Sequence, residues 1–251
     1  MSANGFETIE VNALATLLAP LTLQERLSLA RRRIAGRLVF TTSFGLEDQA
    51  IVDAIFTQKL AIEVVTLDTG RLFPETYDTW ARTEAQYGRR IAALAPDGAA
   101  LETLLADGGV TGFRHSVEAR QRCCGVRKVV PLGRALEGAQ GWITGLRSEQ
   151  SANRIATPLA AYEPARALIK LNPLADWSRS DLEAHIMQNG IPYNVLHDRG
   201  FVSVGCAPCT RAIRLGEAER AGRWWWEDDA RKECGLHNRP AQGGVGEHQY
   251  Q

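Results

Sequence analysis

The sequence lacks the features that mark membrane-spanning, secreted and nucleic-acid-binding proteins. Its longest apolar runs are far shorter than a membrane span. The first residues form neither the basic nor the apolar segment of a secretory signal, so we expect a cytoplasmic protein. Acidic and basic side chains balance at 29 each, so the net charge indicates neither nucleic acid nor an anionic membrane as a partner.

Lysine is also scarce, because only four of the 29 basic residues are lysines and the rest are arginines. Arginine is the better bidentate partner for phosphate and sulfate groups. A codon bias toward arginine would produce the same composition. Each arginine must therefore be judged by its own position in the sequence.

Cysteines are few and odd in number, five in all. In a reducing compartment they are not expected to form structural disulfides. Cys123 and Cys124 form one close pair, and Cys206 and Cys209 form another. Four thiolates are a usual ligand set for zinc or for an iron–sulfur cluster. Neighbouring side chains on a helix diverge by about 100°, which favours a cluster over a single tetrahedral zinc ion; zinc and unmetallated cysteines stay open.

The fifth cysteine, Cys234, stands apart from both pairs. Arg231, Lys232 and His237 lie close to it in sequence. Nearby cations favour the thiolate, which is the reactive form of cysteine. Cys234 is therefore either a catalytic nucleophile or an incidental surface thiol.

Short apolar runs alternate with helical patterns along most of the chain. This alternation predicts an α/β fold with a mostly parallel sheet and helices on both faces. Residues 1–234 are expected to form one domain, and residues 235–251, rich in Gly, Gln and His, a flexible tail. Strands are predicted at 37–42, 62–67, 91–94, 141–145 and 167–171, and helices at 8–18, 22–34, 47–58, from 74, at 99–107, 116–136 and 178–189, with a short charged helix around 220–226.

Three polar loops follow predicted strands, at residues 43–48, 68–71 and 146–154. In parallel sheets, ligands bind beyond the carboxyl ends of the strands. The loop SFGLED at 43–48 can present backbone N–H groups at a helix start, which is an anion site. It matches neither the P-loop pattern nor the G-x-G-x-x-G pattern of dinucleotide folds.

Seven segments carry a resemblance to a known family. They are TSFGLEDQ at 42–49, LDTGRLFPET at 67–76, CCGVRKVVPL at 123–132, TGLRSEQS at 144–151, GCAPCTRAI at 205–213, GEAERAGRWWWE at 216–227 and KECGLH at 232–237. Together they resemble the adenylyl-sulfate and phosphoadenylyl-sulfate reductase family, from about residue 37 to 238. The resemblance implies an adenine-nucleotide α-hydrolase-like domain, related to ATP pyrophosphatases.

Within this family the resemblance also implies a cofactor and a reaction. Members with the four paired cysteines hold a [4Fe–4S] cluster and prefer adenosine 5′-phosphosulfate. The implied cluster ligands are Cys123, Cys124, Cys206 and Cys209. The Cys234 thiolate would attack the substrate sulfur, release AMP and form an S-sulfocysteine. Thioredoxin, or a glutaredoxin-like reductant, would then release sulfite, in sulfate assimilation and cysteine biosynthesis.

The resemblance further implies which residues hold the nucleotide and its phosphosulfate. They are Ser43, Gly45, Asp68, Thr69, Gly70, Lys128, Arg154, Arg220, Arg223 and His237. No nucleic acid or membrane is expected as a partner, and a homo-oligomer is possible. Two other functions stay open: reduction of phosphoadenylyl sulfate, and regulation by a zinc-stabilised nucleotide-binding protein.

Overall fold

The computed structural model describes residues 8–151, 154–227 and 235–236. In this part of the chain, eight α-helices surround one six-stranded sheet. The helices are α1 (Thr8–Leu18), α2 (Leu23–Arg33), α3 (Leu46–Thr57), α4 (Pro74–Tyr87), α5 (Gly98–Gly108), α6 (Val117–Cys124), α7 (Val130–Leu136) and α8 (Arg179–Gln188). The strands are β1 (Arg37–Thr42), β2 (Glu63–Leu67), β3 (Ala92–Leu94), β4 (Ala139–Ile143), β5 (Ala160–Glu163) and β6 (Leu168–Leu171).

The sheet is parallel except at one edge. Its strand order is β3-β2-β1-β4-β6-β5, and β5 pairs with β6 in the antiparallel sense. The chain leaves β1 toward β2 and β3 on one side and then returns to place β4 on the other side. The loops after β1 and β4 therefore diverge, which leaves a crevice between them at the carboxyl edge of the sheet.

Alternation along the strands supplies a core on each face of the sheet. In β1, Leu38 and Phe40 join the larger core, which includes side chains of α1, α2, α3 and α8. Val39, between them, joins the smaller core with Leu132 and Leu136 of α7. Successive side chains of a strand point to opposite faces, so one short apolar run serves both layers. The predicted fold class is confirmed.

Local signals fix several helix ends as the sequence predicts. Thr22 and Glu25 form the predicted capping box at the start of α2. Pro74 occupies the first turn of α4, where its missing N–H costs no hydrogen bond. The single helix predicted over 116–136 is instead interrupted by a π-helical stretch, Gly125–Val129, between α6 and α7.

Two other predictions of local structure were incomplete or wrong. The edge strand β5 was not predicted, because AAYE is short and has little apolar alternation. The charged helix predicted around 220–226 is a series of turns. Backbone hydrogen bonds from Arg211 to Gly222 and from Trp224 to Cys209 tie this segment to the 206–213 loop. These tertiary bonds replace the ones that a helix would make within itself.

Within the described residues, no helix is both long enough and apolar enough to span a bilayer. The predicted tail beyond residue 236 lies outside the described residues. The predicted domain limits at 1–234 and 235–251 stay a prediction.

Candidate functional site

A pocket opens at the crevice between β1 and β4, and we call it the switch-point pocket. Thr42, Ser43 and Gly45 line it from the end of β1 and the loop that follows. Thr144 and Gly145 line it from the end of β4. The pocket thus occupies the position that parallel sheets use for ligands.

The first predicted loop has its own internal hydrogen bonds. The backbone N–H and hydroxyl of Ser43 donate to Asp48 Oδ2 at 2.5 and 2.7 Å. Phe44 adopts a left-handed φ of 60°, and its buried ring stacks on Trp80 with centroids 5.6 Å apart. Gly45 caps α3 without a side-chain hydrogen bond. The N-terminus of α3 therefore borders the pocket without a capping side chain, as an anion site requires.

Asp48 is a buried carboxyl group on the wall of this pocket. Burial raises the pKa of Asp48 to about 7, against the opposing effect of the Ser43 donors. Gly145 packs directly against it, since a Cβ at that position would lie 2.3 Å from Asp48 Oδ1. Only glycine allows β4 to end this close to the carboxyl group.

The second predicted loop contributes one residue to the pocket and two to its own shape. Thr69 lines the pocket, whereas Asp68 and Gly70 do not. Asp68 accepts a hydrogen bond from the Gly70 N–H at 2.9 Å and another from the Tyr77 hydroxyl at 2.7 Å. These bonds hold the turn that presents Thr69.

Four of the predicted substrate-binding cations come together on the pocket from three separate segments of the chain. They are Lys128, Arg154, Arg220 and Arg223. Arg223 lies over the Trp224 ring, with its guanidinium carbon 4.8 Å from the centroid. It also packs against Gly205, where a Cβ would lie 2.3 Å from Arg223 Nη2.

A second, smaller cavity holds the two cysteine pairs, and we call it the cysteine cavity. Cys123 and Cys124 line it from the end of α6, and Cys206 and Cys209 from the later loop. Phe113 and Trp224 pack around the four sulfur atoms. Five cations also line this cavity: Arg71, Arg120, Arg127, Lys128 and Arg223.

Charge and burial shift the pKa values of two thiols in this cavity in opposite directions. Burial acts to raise the pKa of Cys206, but Lys128, a hydrogen bond to Thr69 and two arginines outweigh it and lower the pKa. Burial raises the pKa of Cys209 to about 11, and the neighbouring Cys206 adds to this. Four ionised thiols in so small a space would repel one another unless a cationic group lay among them.

Four thiols are the donor type that an iron–sulfur cluster uses, although the thiols of the cysteine cavity are not positioned as a ready metal site. Four sulfur donors face one space, and five cations surround a group whose thiolate ligands carry net negative charge. In the described part of the chain, no group of three or more His, Cys, Asp or Glu side chains is placed to hold a metal ion.

The switch-point pocket and the cysteine cavity share a wall. Lys128, Arg223 and Trp224 line both. Lys128 lies on the π-helical stretch directly after the Cys123–Cys124 pair. A charged group in either space therefore acts on the same cations.

The structure also places residues on the pocket that the sequence analysis did not select. They include Glu47, Gln150, His197, Glu219 and Leu236. Three of them, Glu47, Gln150 and Glu219, lie inside the family-like segments quoted above. Their place in those segments is the sequence signal that could have identified them. Cys234 and His237 lie outside the described residues, but Leu236, between them in the chain, packs against the smaller core.

Comparisons with known proteins decide which family this arrangement represents. Residues 37–212 match the model of the phosphoadenosine phosphosulfate reductase domain. The chain is 54% identical, over 90% of its length and 86% of the relative's, to an adenosine 5′-phosphosulfate reductase of Agrobacterium fabrum. The chain belongs to the phosphoadenosine phosphosulfate reductase family. Family, fold and enzyme class are as predicted, and the chain is an oxidoreductase acting on sulfur.

Solved structures agree with this membership of the reductase family. A phosphoadenylyl-sulfate reductase of Candida auris, in a phosphate complex, superposes with a TM-score of 0.72 at 28% identity. It covers 84% of this chain and 100% of its own. Yeast FAD synthetase shares the fold alone, with a TM-score of 0.52 at 13% identity over 82% of this chain and 70% of its own.

Proposed function

We propose that this reductase converts adenosine 5′-phosphosulfate to sulfite and AMP, in sulfate assimilation. The observation that carries the proposal is the wall of cations between the switch-point pocket and a cavity lined by four cysteines. The relative from Agrobacterium fabrum bears the name of this activity. In the sequence resemblance, the four cysteines separate members that use this substrate from those that use phosphoadenylyl sulfate.

The nucleotide would bind at the carboxyl edge of the sheet. Ser43, Gly45 and Thr69 line this part of the pocket, and Asp68 and Gly70 would hold the second loop in shape. The phosphosulfate would face the cations, where Lys128, Arg154, Arg220 and Arg223 lie. Negative charge develops on the leaving phosphate during the reaction, and fixed cations stabilise such charge.

Cys123, Cys124, Cys206 and Cys209 would hold a [4Fe–4S] cluster. When bound, the cluster would supply a fixed anionic group beside Lys128 and Arg223, with no change of oxidation state required. These two cations would be held at the shared wall by the charge of the thiolate ligands. Because they also line the pocket, they would remain directed at the substrate anion.

Cys234 would be the nucleophile. Its thiolate attacks the sulfur of the phosphosulfate, the bond from that sulfur to the phosphate oxygen breaks, and AMP leaves with the electron pair. Leu236, two residues later, lines the pocket. Two residues of extended chain span at most about 7 Å, so a thiol at Cys234 would be within reach of the pocket. His237 would stand beside the sulfate group.

A dithiol protein of the thioredoxin or glutaredoxin kind would complete the cycle. Its thiolate attacks the Cys234 sulfur and displaces sulfite, which leaves a mixed disulfide. Its second thiolate then releases the Cys234 thiolate and closes a disulfide within the reductant. Both electrons that reduce the substrate sulfur thus come from the dithiol.

The experiment that tests this function is intact-protein mass spectrometry after mixing with adenosine 5′-phosphosulfate and no reductant. The wild type is expected to gain about 80 Da, the mass of one SO₃ group held covalently. Cys234→Ser should gain nothing while keeping its iron, because a serine hydroxyl stays protonated without a general base.

Three outcomes would contradict the proposal. A Cys234→Ser protein that still gains the mass would place the nucleophile elsewhere. A wild type that reacts only with phosphoadenylyl sulfate would assign the other substrate of the family. A colourless protein that contains zinc would replace the cluster with a structural ion.

A further inference from the structure

A buried arginine, Arg147, joins three segments that form one wall of the switch-point pocket. Its side chain is 0% exposed and does not line the pocket. Its Nε donates to Glu47 Oε1 at 2.8 Å, and its Nη2 donates to Glu219 Oε2 at 2.9 Å. Both carboxylates line the pocket. Arg147 therefore acts on the pocket only through other residues.

One arm of this cluster leads to Arg154. Glu47 Oε1 accepts a second hydrogen bond, from Gln150 Nε2 at 3.0 Å. Gln150 Oε1 accepts hydrogen bonds from the Arg147 backbone N–H and from Arg154 Nη1. The chain of contacts runs from Arg147 through Glu47 and Gln150 to a cation that lines the pocket.

The other arm leads to Arg220. Glu219, held by Arg147, precedes Arg220 directly in the chain, and both residues line the pocket. The Arg223 N–H donates to the Arg220 carbonyl at 2.9 Å, so the anchored turn also contains Arg223. Arg147 thus connects to the cations of two segments that meet only in the folded protein.

Arg147 also changes the pKa of Glu47. Burial acts to raise the pKa of Glu47, but the charge and hydrogen bonds of Arg147 outweigh it and lower the pKa. Glu47 therefore stays ionised beside a pocket that is to receive an anion. Replacing a buried ion pair by apolar residues is often neutral or stabilising, so stability alone is a weak reason for this cluster.

We propose that Arg147 is a positioning residue: it holds Arg154 through Glu47 and Gln150, and Arg220 through Glu219, in the places where they meet the phosphosulfate. The proposal rests on the proposed function for the identity of the anion. Without Arg147, two carboxylates would face the pocket without their shared cation, and one support of each pocket cation would be lost.

The test compares Arg147→Met and Arg147→Lys with Arg26→Met. Arg26 is a matched control: it is also buried, pairs with Asp176 at 2.6 Å and binds backbone carbonyls, but does not line or contact the pocket. All kinetics are normalised to bound iron, so that lost folding is not counted as lost activity.

Arg147→Met is expected to raise the KM for adenosine 5′-phosphosulfate about tenfold or more, because truncating one partner of a buried charge pair is costly. The KM for the dithiol reductant should stay within about twofold, since Arg147 is buried and is proposed to act only on the cations that meet the nucleotide. Arg147→Lys keeps one charge but cannot reach both carboxylates as a fork, so it should recover part of the loss. Arg26→Met should leave both KM values unchanged.

Double mutants separate positioning from a general loss of structure. If Arg147 acts through Arg154 and Arg220, then Arg147→Met combined with Arg154→Met or Arg220→Met should lose less than the product of the single effects. Arg26→Met combined with the same changes should be multiplicative. Multiplicative losses with Arg147→Met, or an unchanged nucleotide KM, would overturn the inference. A wild type without activity on adenosine 5′-phosphosulfate would instead reject the proposed function.

Discussion

The switch-point pocket and the cysteine cavity are built in opposite ways. The pocket lies at the carboxyl ends of β1, β2 and β4, so adjacent strands of one sheet contribute to its floor. The cavity lies outside the sheet, between the end of α6 and a loop after residue 200 that contains short turns instead of strands. The strand order places the first site, whereas contacts between distant loops and α6 place the second.

This difference predicts how a substitution at each site affects binding and folding. The pocket borders a sheet with a core on each face, so one changed side chain should alter binding more than folding. The cavity has a small apolar group, including Phe113 and Trp224, around its four sulfur atoms. Since a small apolar group stabilises little, the cavity should depend on what its cysteines bind.

The largest expected effect comes from Cys206→Ser. Each thiolate would supply one bond to the cluster, so this variant should lose iron and nearly all sulfite formation. Cys234→Ser is the matched control, a cysteine-to-serine change outside the two pairs, and should retain iron. Iron content, visible absorption and sulfite release are the measurements.

The same variant also tests whether the two sites are separate. AMP should still bind to Cys206→Ser, more weakly, because the sheet that builds the pocket floor is intact. Complete loss of AMP binding would mean that the pocket does not form when the cysteine cavity has lost its bound group. Full iron in Cys206→Ser would remove this residue from the ligand set.

The next effect is expected from Lys128→Met, at the wall that the sites share. Loss of one cation that meets developing charge typically costs about 2–4 kcal/mol in the transition state. Single-turnover formation of the covalent adduct should slow by the corresponding factor, with iron retained. Arg122→Ala is the control, since Arg122 is also close to the cysteine pair but is bound to Asp107 and lines neither site. Equal rates of adduct formation for both variants would show that Lys128 does not stabilise the developing charge.

The smallest effect is expected from Asp48→Asn, which probes the pocket alone. The pKa of Asp48 is raised by burial to about 7, against about 4 in an unfolded chain. Between these values the unfolded state gives up its proton and the folded state keeps it, so stability falls as pH rises. From pH 6 to pH 8 this group should cost the wild type about 1 kcal/mol, which the asparagine variant should not lose.

Urea denaturation at the two pH values measures this difference. Asp107→Asn, a change at an exposed carboxyl group, should follow the wild type. An Asp48→Asn protein with the same loss between pH 6 and pH 8 would show that this carboxyl group is already ionised throughout the range.

Much of the sheet could be predicted from sequence because its signals are local. Strand β1 begins and ends at the predicted residues, and the predicted helix 8–18 matches α1. The cations of the pocket were identified by resemblance, and all four line it. Their motifs are short; the motif of Lys128 spans the π-helical stretch, and those of the three arginines lie in loops and turns.

The remainder depends on contacts between distant residues, which a single sequence does not reveal. Arg147 was not selected, because its partners Glu47 and Glu219 belong to segments 100 and 72 residues away. The π-helical stretch that carries Lys128 has no residue pattern that distinguishes it from an α-helix. The turns at 220–226 form because tertiary hydrogen bonds outweigh local propensity.

The shared wall of Lys128, Arg223 and Trp224 has a thermodynamic consequence. If a ligand in the switch-point pocket binds more tightly when the cysteine cavity is filled, the group in the cavity must be held more tightly by the same factor when the ligand is present. Substrate would then protect the metal centre from chelators. The change in affinity at one site and the change in affinity at the other would be two measures of a single coupling free energy.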